Sequence, residues 1–483
     1  MPNPARDPLD TLAALNASAA NDTRELLIGS DVELAACVRR DLEQRFGEVV
    51  FTEGTFWRYG QSHWHDIPPH ELRLAVHGYD GATFKTRGGA ASVVRLNKAR
   101  VDSTLYEMAA SLTQPEFFSH SVTGINCTNG FIRFTGNGTP ALIPHDPKHR
   151  CRHTLPGAWR GASNGTPPAG SLLHRLLDGV FKGDADAAAK TDVLAEAIGV
   201  AALGYATKLR QPRALILKGE TAENGKSQIL DLARILLPES AVSSVTAGRM
   251  GDERHVVGLI GKLLNASDEL SSAQAIASDT FKTVITGEPT HGRDVYKSRI
   301  EFRAAAQHIF ATNTLPIFAG GMDRGVRRRL LVISFNRVIP HDERIEGIGR
   351  LIGDKEADLL LAWAVAGASR ILKQRVFTAP PSAKAALDEW LFGADPVMAW
   401  LAEQVECKQT LDGATRIRTS HAYERFRDWS FGEGYTERTL PSINAFVQRV
   451  QANAKGIEYR RTREGRYFYG MVIGGHTTSP KGW

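Results

Sequence analysis

The stretch ALILKGETAENGKSQIL, residues 214–230, sets the reading of the whole chain. Ala214 to Leu217 is a short apolar run of strand-forming residues that ends at Gly219. A polar loop follows, and Gly225-Lys226-Ser227 opens an amphipathic helix predicted over Ser227–Leu237. A loop of this kind aims successive backbone N–H groups at an anion bound at a helix N-terminus. In that geometry Gly219, Glu223, Asn224, Gly225, Lys226, Ser227 and Gln228 would surround ATP. Lys226 would bridge the β- and γ-phosphates, and the Ser227 hydroxyl would ligate Mg²⁺. Five residues separate Gly219 from Gly225, one more than the usual G-x-x-x-x-G-K-[ST] spacing. A Gly-rich turn of no function is the competing reading, but the strand–loop–helix setting is the one phosphate binding requires.

Two later stretches complete the pattern. LIGKLLNASDEL, residues 259–270, is an apolar run ending in Asp268-Glu269. Asp268 there would hold Mg²⁺ through water, and Glu269 would be the general base toward an attacking water. Ser267-Asp268-Glu269 also suits a helix N-cap, and the upstream loop tips the balance to catalysis. HIFATNTLP, residues 308–316, is a strand ending in Asn313, a polar group suited to hold the water or the γ-phosphate between the two earlier strands. Alone, Asn313 before Thr-Leu-Pro is an ordinary turn; in this order it gains meaning. From Pro212 on, strands alternate with helices, which implies an α/β core with a parallel sheet.

With these motifs, residues 213–335 resemble the helicase domain of the phage- and plasmid-type primase–helicases of superfamily 3, a family that includes the poxvirus helicase–primase. The resemblance is carried by NGKS, the acidic strand end, FKTVITGEPTHGRDVYKS (residues 281–298), IFATNTLP and GVRRRLLVISF (residues 325–335). It implies an AAA+-like P-loop ATPase core and a homo-oligomeric ring, a hexamer by expectation. It makes Lys282, Arg293 and above all Lys297 contacts to single-stranded DNA on a channel hairpin. It also makes Arg328 or Arg329 the arginine that reaches the γ-phosphate bound by the adjacent subunit, a role suited to a permanently charged guanidinium.

The resemblance extends outward from the motor. GTFWRYGQSHWHDI, TNGFIRF and HDPKHRCRHTLPGAW look like the family's mixed α+β accessory domain, and the stretch from Tyr423 to Ile473 looks like its C-terminal winged-helix-like α+β module. The expected organisation is a tail over residues 1–25, an accessory domain over 26–190, the ATPase over 191–345 and the helical and winged module over 346–483. No archaeo-eukaryotic primase signature precedes the motor, so priming is expected from a separate primase or initiator, if at all.

Composition agrees with a soluble globular protein: of 483 residues 42% are apolar and 23% charged. The net charge of +6, from 59 Lys and Arg against 53 Asp and Glu, argues little by itself. Its placement argues more, because residues 411–483 carry 12 basic against 7 acidic residues. Arg460, Arg461 and Arg463, with Arg416, Arg418 and Arg466, are therefore candidate DNA phosphate contacts, docking onto a replication partner being the alternative. Apolar runs are too short to span a bilayer and the first residues lack a secretory pattern, so no membrane partner and a cytoplasmic setting, phage- or plasmid-encoded or bacterial, are expected. The four cysteines read as free thiols of that reducing compartment. Cys127, His145, His149, Cys151 and His153 match no zinc spacing, and Trp57, Tyr59 and Trp64 read as packed aromatics sooner than as base-stacking ones. Besides a helicase, the residues allow a P-loop ATPase that remodels protein or loads a helicase, and a non-enzymatic origin-binding initiator.

Overall fold

The computed structural model describes residues 24–161, 165–268, 270, 275–293, 300–319, 322–408, 415–435, 437 and 440–474, without side chains for 392–394. Two compact units divide the chain: 1–133 with 141–159, and 134–140 with 160–483. The protein is a mixed α/β chain of more than one unit, with a parallel sheet in the second.

In the first unit the helices Asp31–Phe46, Pro69–His77 and Lys98–Leu112 enclose a core of Leu34, Val38, Leu42, Val76, Val101 and Met108. The last of these helices begins at Lys98 because the Asn97 side chain accepts the Arg100 N–H and caps it. Trp57, Tyr59 and Trp64 lie in a three-stranded antiparallel sheet, Val49–Thr52, Thr55–Tyr59 and Trp64–Asp66. Its aromatics pack: Trp64 is 1% exposed, lies edge-on to Phe117 at 4.9 Å and donates its indole N–H to the Pro147 carbonyl. Trp57 lies edge-on to Phe118 at 4.8 Å.

The second unit is built on five parallel strands: β1 (Ala214–Lys218), β2 (Val242–Ser243), β3 (Leu264–Ser267), β4 (Gln307–Thr312) and β5 (Leu330–Ser334). Their order across the sheet is β2-β3-β4-β1-β5. Every residue of β3 and β4 is buried, as are Ala214–Leu217 and Leu330–Ile333, which is why these strands read as unbroken apolar runs instead of alternating ones. Helix α1 (Lys226–Leu236) covers the sheet after the loop, as the alternation of strands and helices implied. LIGKLLNAS yields only the strand Leu264–Ser267, because Gly261 takes φ +70° and ends the preceding turn.

Two helices brace this layer. Ala187–Leu203 crosses Ile348–Gln374 so closely that a Cβ on Gly199 would lie 2.4 Å from the Ala364 carbonyl, and one on Gly367 would lie 2.0 Å from that of Ala195. Residues 381–404 form two helices, Pro381–Ala394 and Pro396–Gln404, because Asp395 leaves helical geometry ahead of Pro396 and caps Val397 N–H. The chain ends in the helices Thr419–Gly432 and Ile443–Asn453 and a three-stranded antiparallel sheet in the order Arg416–Arg418, Gly465–Tyr469, Glu458–Thr462. Phe426, Phe446 and Phe468 fill that module's core with Trp400.

Candidate nucleotide site and basic surfaces

The residues singled out by sequence around the 219–228 loop converge at the carboxyl edge of the parallel sheet, the edge where open α/β sheets place their ligands. Gly219 leaves β1 and donates its N–H to the Thr312 carbonyl of β4, 3.1 Å away. Gly225, at φ +84°, is the last residue before α1, so the left-handed conformation that favours glycine turns the loop into the helix. Lys226 is 7% exposed; its ammonium donates to the Gly219 carbonyl at 2.6 Å and to Asn313 Oδ1 at 3.0 Å. Burial pushes its pKa below the usual lysine value. Asn224, 3% exposed, donates through Nδ2 to the Thr221 carbonyl at 2.5 Å and accepts from Lys226 N–H at 3.4 Å. Ser227 is exposed at the head of α1, and Gln228 Oε1 accepts the Gly349 N–H at 3.0 Å, tying the helix to Ile348–Gln374.

The loop tests well for a phosphate group. A Cβ on Gly219 would sit 2.3 Å from Asn224 Nδ2 and 2.7 Å from Lys226 Nζ, so only glycine leaves this cradle open. One amide N–H donor, from Asn224, and one ammonium, from Lys226, thus face Gly219, with the Phe335 carbonyl 3.0 Å from the same point, and the two donors are the groups an oxyanion would take up.

Asn313 follows β4, between β1 and β3, and so lies between the strand that feeds the loop and the strand that ends in Asp268. Asp268 is half-exposed, and both its oxygens accept from Arg234 of α1, at 3.1 and 2.7 Å. Arg234 also lies 3.5 Å from Asp231, whose carboxyl is pushed up by burial, then held back by Arg234. Glu269 lies outside the described residues, as does Lys297.

Arg328 and Arg329 stand at the opposite edge of the sheet. β1 and β5 run in register from Ala214–Leu330 to Lys218–Ser334, and the Arg329 carbonyl accepts Ala214 N–H at 2.8 Å. Four residue steps at ~3.3 Å put them roughly 13 Å or more from the loop of their own chain. The structure sorts the three arginines. Arg327 donates to Asn453 Oδ1 at 2.7 Å; Arg329 is 8% exposed and donates to the Gly325 carbonyl at 2.8 Å; Arg328 is exposed. Burial, then the charge of Arg328, lowers the Arg329 pKa.

Lys282, on the helix Ser278–Thr286, pairs with Asp279 at 2.8 Å and Asp323 at 3.2 Å, and the hydrogen bond to Asp279 foremost raises its pKa. Arg293 is exposed at the end of a hairpin whose strands are Pro289–Gly292 and Ile300–Arg303. In the C-terminal module Arg460, Arg461, Arg463 and Arg466 are all exposed. Arg460 pairs with Glu458 at 2.6 Å and lies over the Tyr469 ring at 4.9 Å; Arg416 and Arg418 lie over Tyr467. One face of the sheet therefore carries Arg416, Arg418 and Arg460 with Tyr467 and Tyr469, while Arg461 and Arg466 lie on the face of the buried Phe468. Sequence reading missed this interleaving with tyrosine, because it depends on the cross-strand pairs Arg460–Tyr467, Arg418–Tyr467 and Arg416–Tyr469, which no single strand displays.

Among the described residues, no group of three or more His, Cys, Asp or Glu is placed to hold a metal ion, and no helix is long and apolar enough to cross a membrane.

Residues 217–329 match the model of a family of unknown function, DUF5906. No curated protein matches the chain. Among solved structures, an A-form apo structure of the NrS-1 C-terminal region is similar over 90% of this chain and 99% of that chain, at 14% identity and a TM-score of 0.42. Another apo structure of that region, residues 305–718, is similar over 91% and 99%, at 14% identity and a TM-score of 0.43. At these values the likeness transfers no function to this chain; the family match covers under a quarter of it and names no activity.

Proposed function

We propose that the chain is an ATP-dependent DNA helicase of phage, prophage or plasmid replication, which assembles head-to-tail into a ring and translocates on single-stranded DNA. One observation carries the reading. The Gly219–Ser227 loop and Asn313 meet at one edge of the sheet, while the exposed Arg328 stands at the other. An arginine that cannot reach its own site serves a neighbour's, and repeated heterologous contacts of that kind close into a ring. In this reading residues 191–345 form an AAA+-like P-loop core, 26–190 an accessory domain, and 346–483 a helical and winged-helix-like module.

The chemistry asked of the residues is positioning and charge stabilisation. When bound, Mg²⁺ would neutralise charge on the β- and γ-phosphate oxygens, held from Ser227 and through water from Asp268. Lys226 exchanges its bond to the Gly219 carbonyl for phosphate oxygens and keeps Asn313 at its side. Asn313 orients the attacking water, Glu269 accepts its proton, and Arg328 of an adjacent subunit stabilises the charge that develops. To take that part Asp268 would exchange its Arg234 partner for a water on the metal. Arg293, Lys297 and the exposed arginines of the C-terminal module are the DNA contacts of this reading.

A second reading, an ATPase that loads a helicase or remodels protein, has one observation in its favour: two carboxylates already take up the charge of Lys282. Hydrolysis assayed with and without single-stranded DNA, alongside strand displacement from a fork, separates the two. The helicase reading expects DNA-stimulated hydrolysis and displacement; the loader expects hydrolysis alone.

A further inference from the structure

The loop that would receive a triphosphate contains a carboxylate of its own. Glu223 is a non-glycine residue at φ +64°, a disfavoured left-handed conformation, in the loop that is one residue longer than usual. It is held there from two sides. Its carbonyl accepts the Ile339 N–H at 3.0 Å, and its two carboxylate oxygens meet the Arg344 fork at 2.5 and 2.6 Å. Arg344 is itself fixed, since its Nε donates to the Ile339 carbonyl at 2.7 Å. The surrounding segment is anchored in turn. Arg337 donates to the Gly179 carbonyl at 2.6 Å and pairs with Glu343 at 2.7 Å. On the other side of the loop, Gly225 is pressed by Val180, which a Cβ there would approach to 2.4 Å, with Ile339 at 3.4 Å.

We infer that Arg344 is a positioning residue for the nucleotide: it sets the extended loop in its binding shape and cancels the Glu223 charge that would otherwise repel a nucleoside di- or triphosphate. The inference rests on the nucleotide-binding reading of this loop. An anion site must not present an uncompensated carboxylate, and a bidentate guanidinium is the group that best removes one. The pair is partly exposed, at 31% for Arg344 and 55% for Glu223, so it does little for folding and its loss is felt in the loop. The extra loop residue is then accommodated by a dedicated partner, not a sign of a decayed site.

The test is a fluorescence titration of the full-length chain with N-methylanthraniloyl-ADP and Mg²⁺. Arg344→Ala is expected to bind about tenfold more weakly than wild type. Arg344→Lys, which keeps the charge and loses the fork, falls between them. Adding Glu223→Gln to Arg344→Ala recovers most of the loss, because the repelling charge is gone. Should Arg344→Ala fold poorly, Glu223→Gln alone reads the same charge and is expected to bind at least as tightly as wild type, most clearly at low salt. Binding by Arg344→Ala within about twofold of wild type, or no recovery in the double variant, overturns the inference. Wild type and Lys226→Ala are run beside them. If wild type itself does not bind, the nucleotide reading falls and this inference with it; if wild type binds and Lys226→Ala does not, a neutral Arg344→Ala overturns this inference alone.

Discussion

The parallel sheet and the small C-terminal sheet both gather the residues that make this chain interesting, and they do so in opposite ways. At the carboxyl edge of the parallel sheet the polar groups are few and tied to one another through two buried side chains: Lys226 to Gly219 and Asn313, Asn224 to Thr221. On the C-terminal sheet the charges are many and exposed, and they pair locally with Glu458 or lie over tyrosine rings. Buried polar groups must be satisfied one by one, so each position admits few substitutes. Exposed charges act by their sum, so each is worth little alone. The first region should therefore respond to single substitutions by large factors, and the second in small additive steps.

The largest effect is expected of Lys226→Ala, which should abolish ATP hydrolysis while circular dichroism shows the fold intact. Residual hydrolysis within about tenfold of wild type would break the comparison at its strongest point. Next comes the pair at the far edge of the sheet. Arg328→Ala should lower the hydrolysis rate about 10³-fold with nucleotide binding retained, and mixing it with a Lys226→Ala chain should restore hydrolysis through mixed contacts. Arg329→Ala should act on stability instead, costing about 1–3 kcal/mol in urea melts, because the buried guanidinium satisfies the Gly325 carbonyl. Equal hydrolysis losses from both with equal melts would contradict the division of roles.

The buried polar groups of the sheet also predict a pH dependence. His308 on β4 is fully enclosed, bonded to Asn265 Nδ2 at 3.1 Å, and burial lowers its pKa to about 3. The unfolded chain takes up a proton there near pH 6.5 and the folded one does not. Its contribution to stability is therefore complete above that pH and falls by about 1.4 kcal/mol per unit as the pH drops toward 3. His308→Gln should flatten that part of the stability–pH profile, and an unchanged slope would show that other groups set it. The smallest effects belong to the C-terminal sheet. Arg461→Ala and Arg463→Ala should each reduce the log–log salt slope of single-strand binding by about 0.7, and Arg460→Ala by less, since Glu458 already occupies it. A loss of all binding from any one of them would make that surface behave like the loop.

How much of this was legible in sequence follows the same division. The β1–loop–α1 unit could be read because burial on both faces leaves an unbroken apolar strand, and because Gly225 and Lys226 punctuate its end. The position of Asn313 beside Lys226 followed from motif order, since parallel strands bring successive strand ends to one edge. The two-residue strand Val242–Ser243 carries too little pattern to be seen. The sorting of Arg327, Arg328 and Arg329 depends on a carbonyl at Gly325 and an amide at Asn453, which no local spacing reveals. The partner of Glu223 lies 121 residues away in a segment without a motif, so the sequence displays the extra loop residue but not the arginine that holds it.

The central claim is that nucleotide hydrolysis at this loop drives movement on DNA, and one measurement meets it directly: displacement of a labelled strand from a forked duplex by the full chain with Mg²⁺ and ATP, beside Lys226→Ala. The account predicts displacement by wild type, none by Lys226→Ala, and hydrolysis by wild type that rises when single-stranded DNA is added. An assembled wild-type protein that hydrolyses ATP at the same rate with or without DNA and displaces no strand would contradict it.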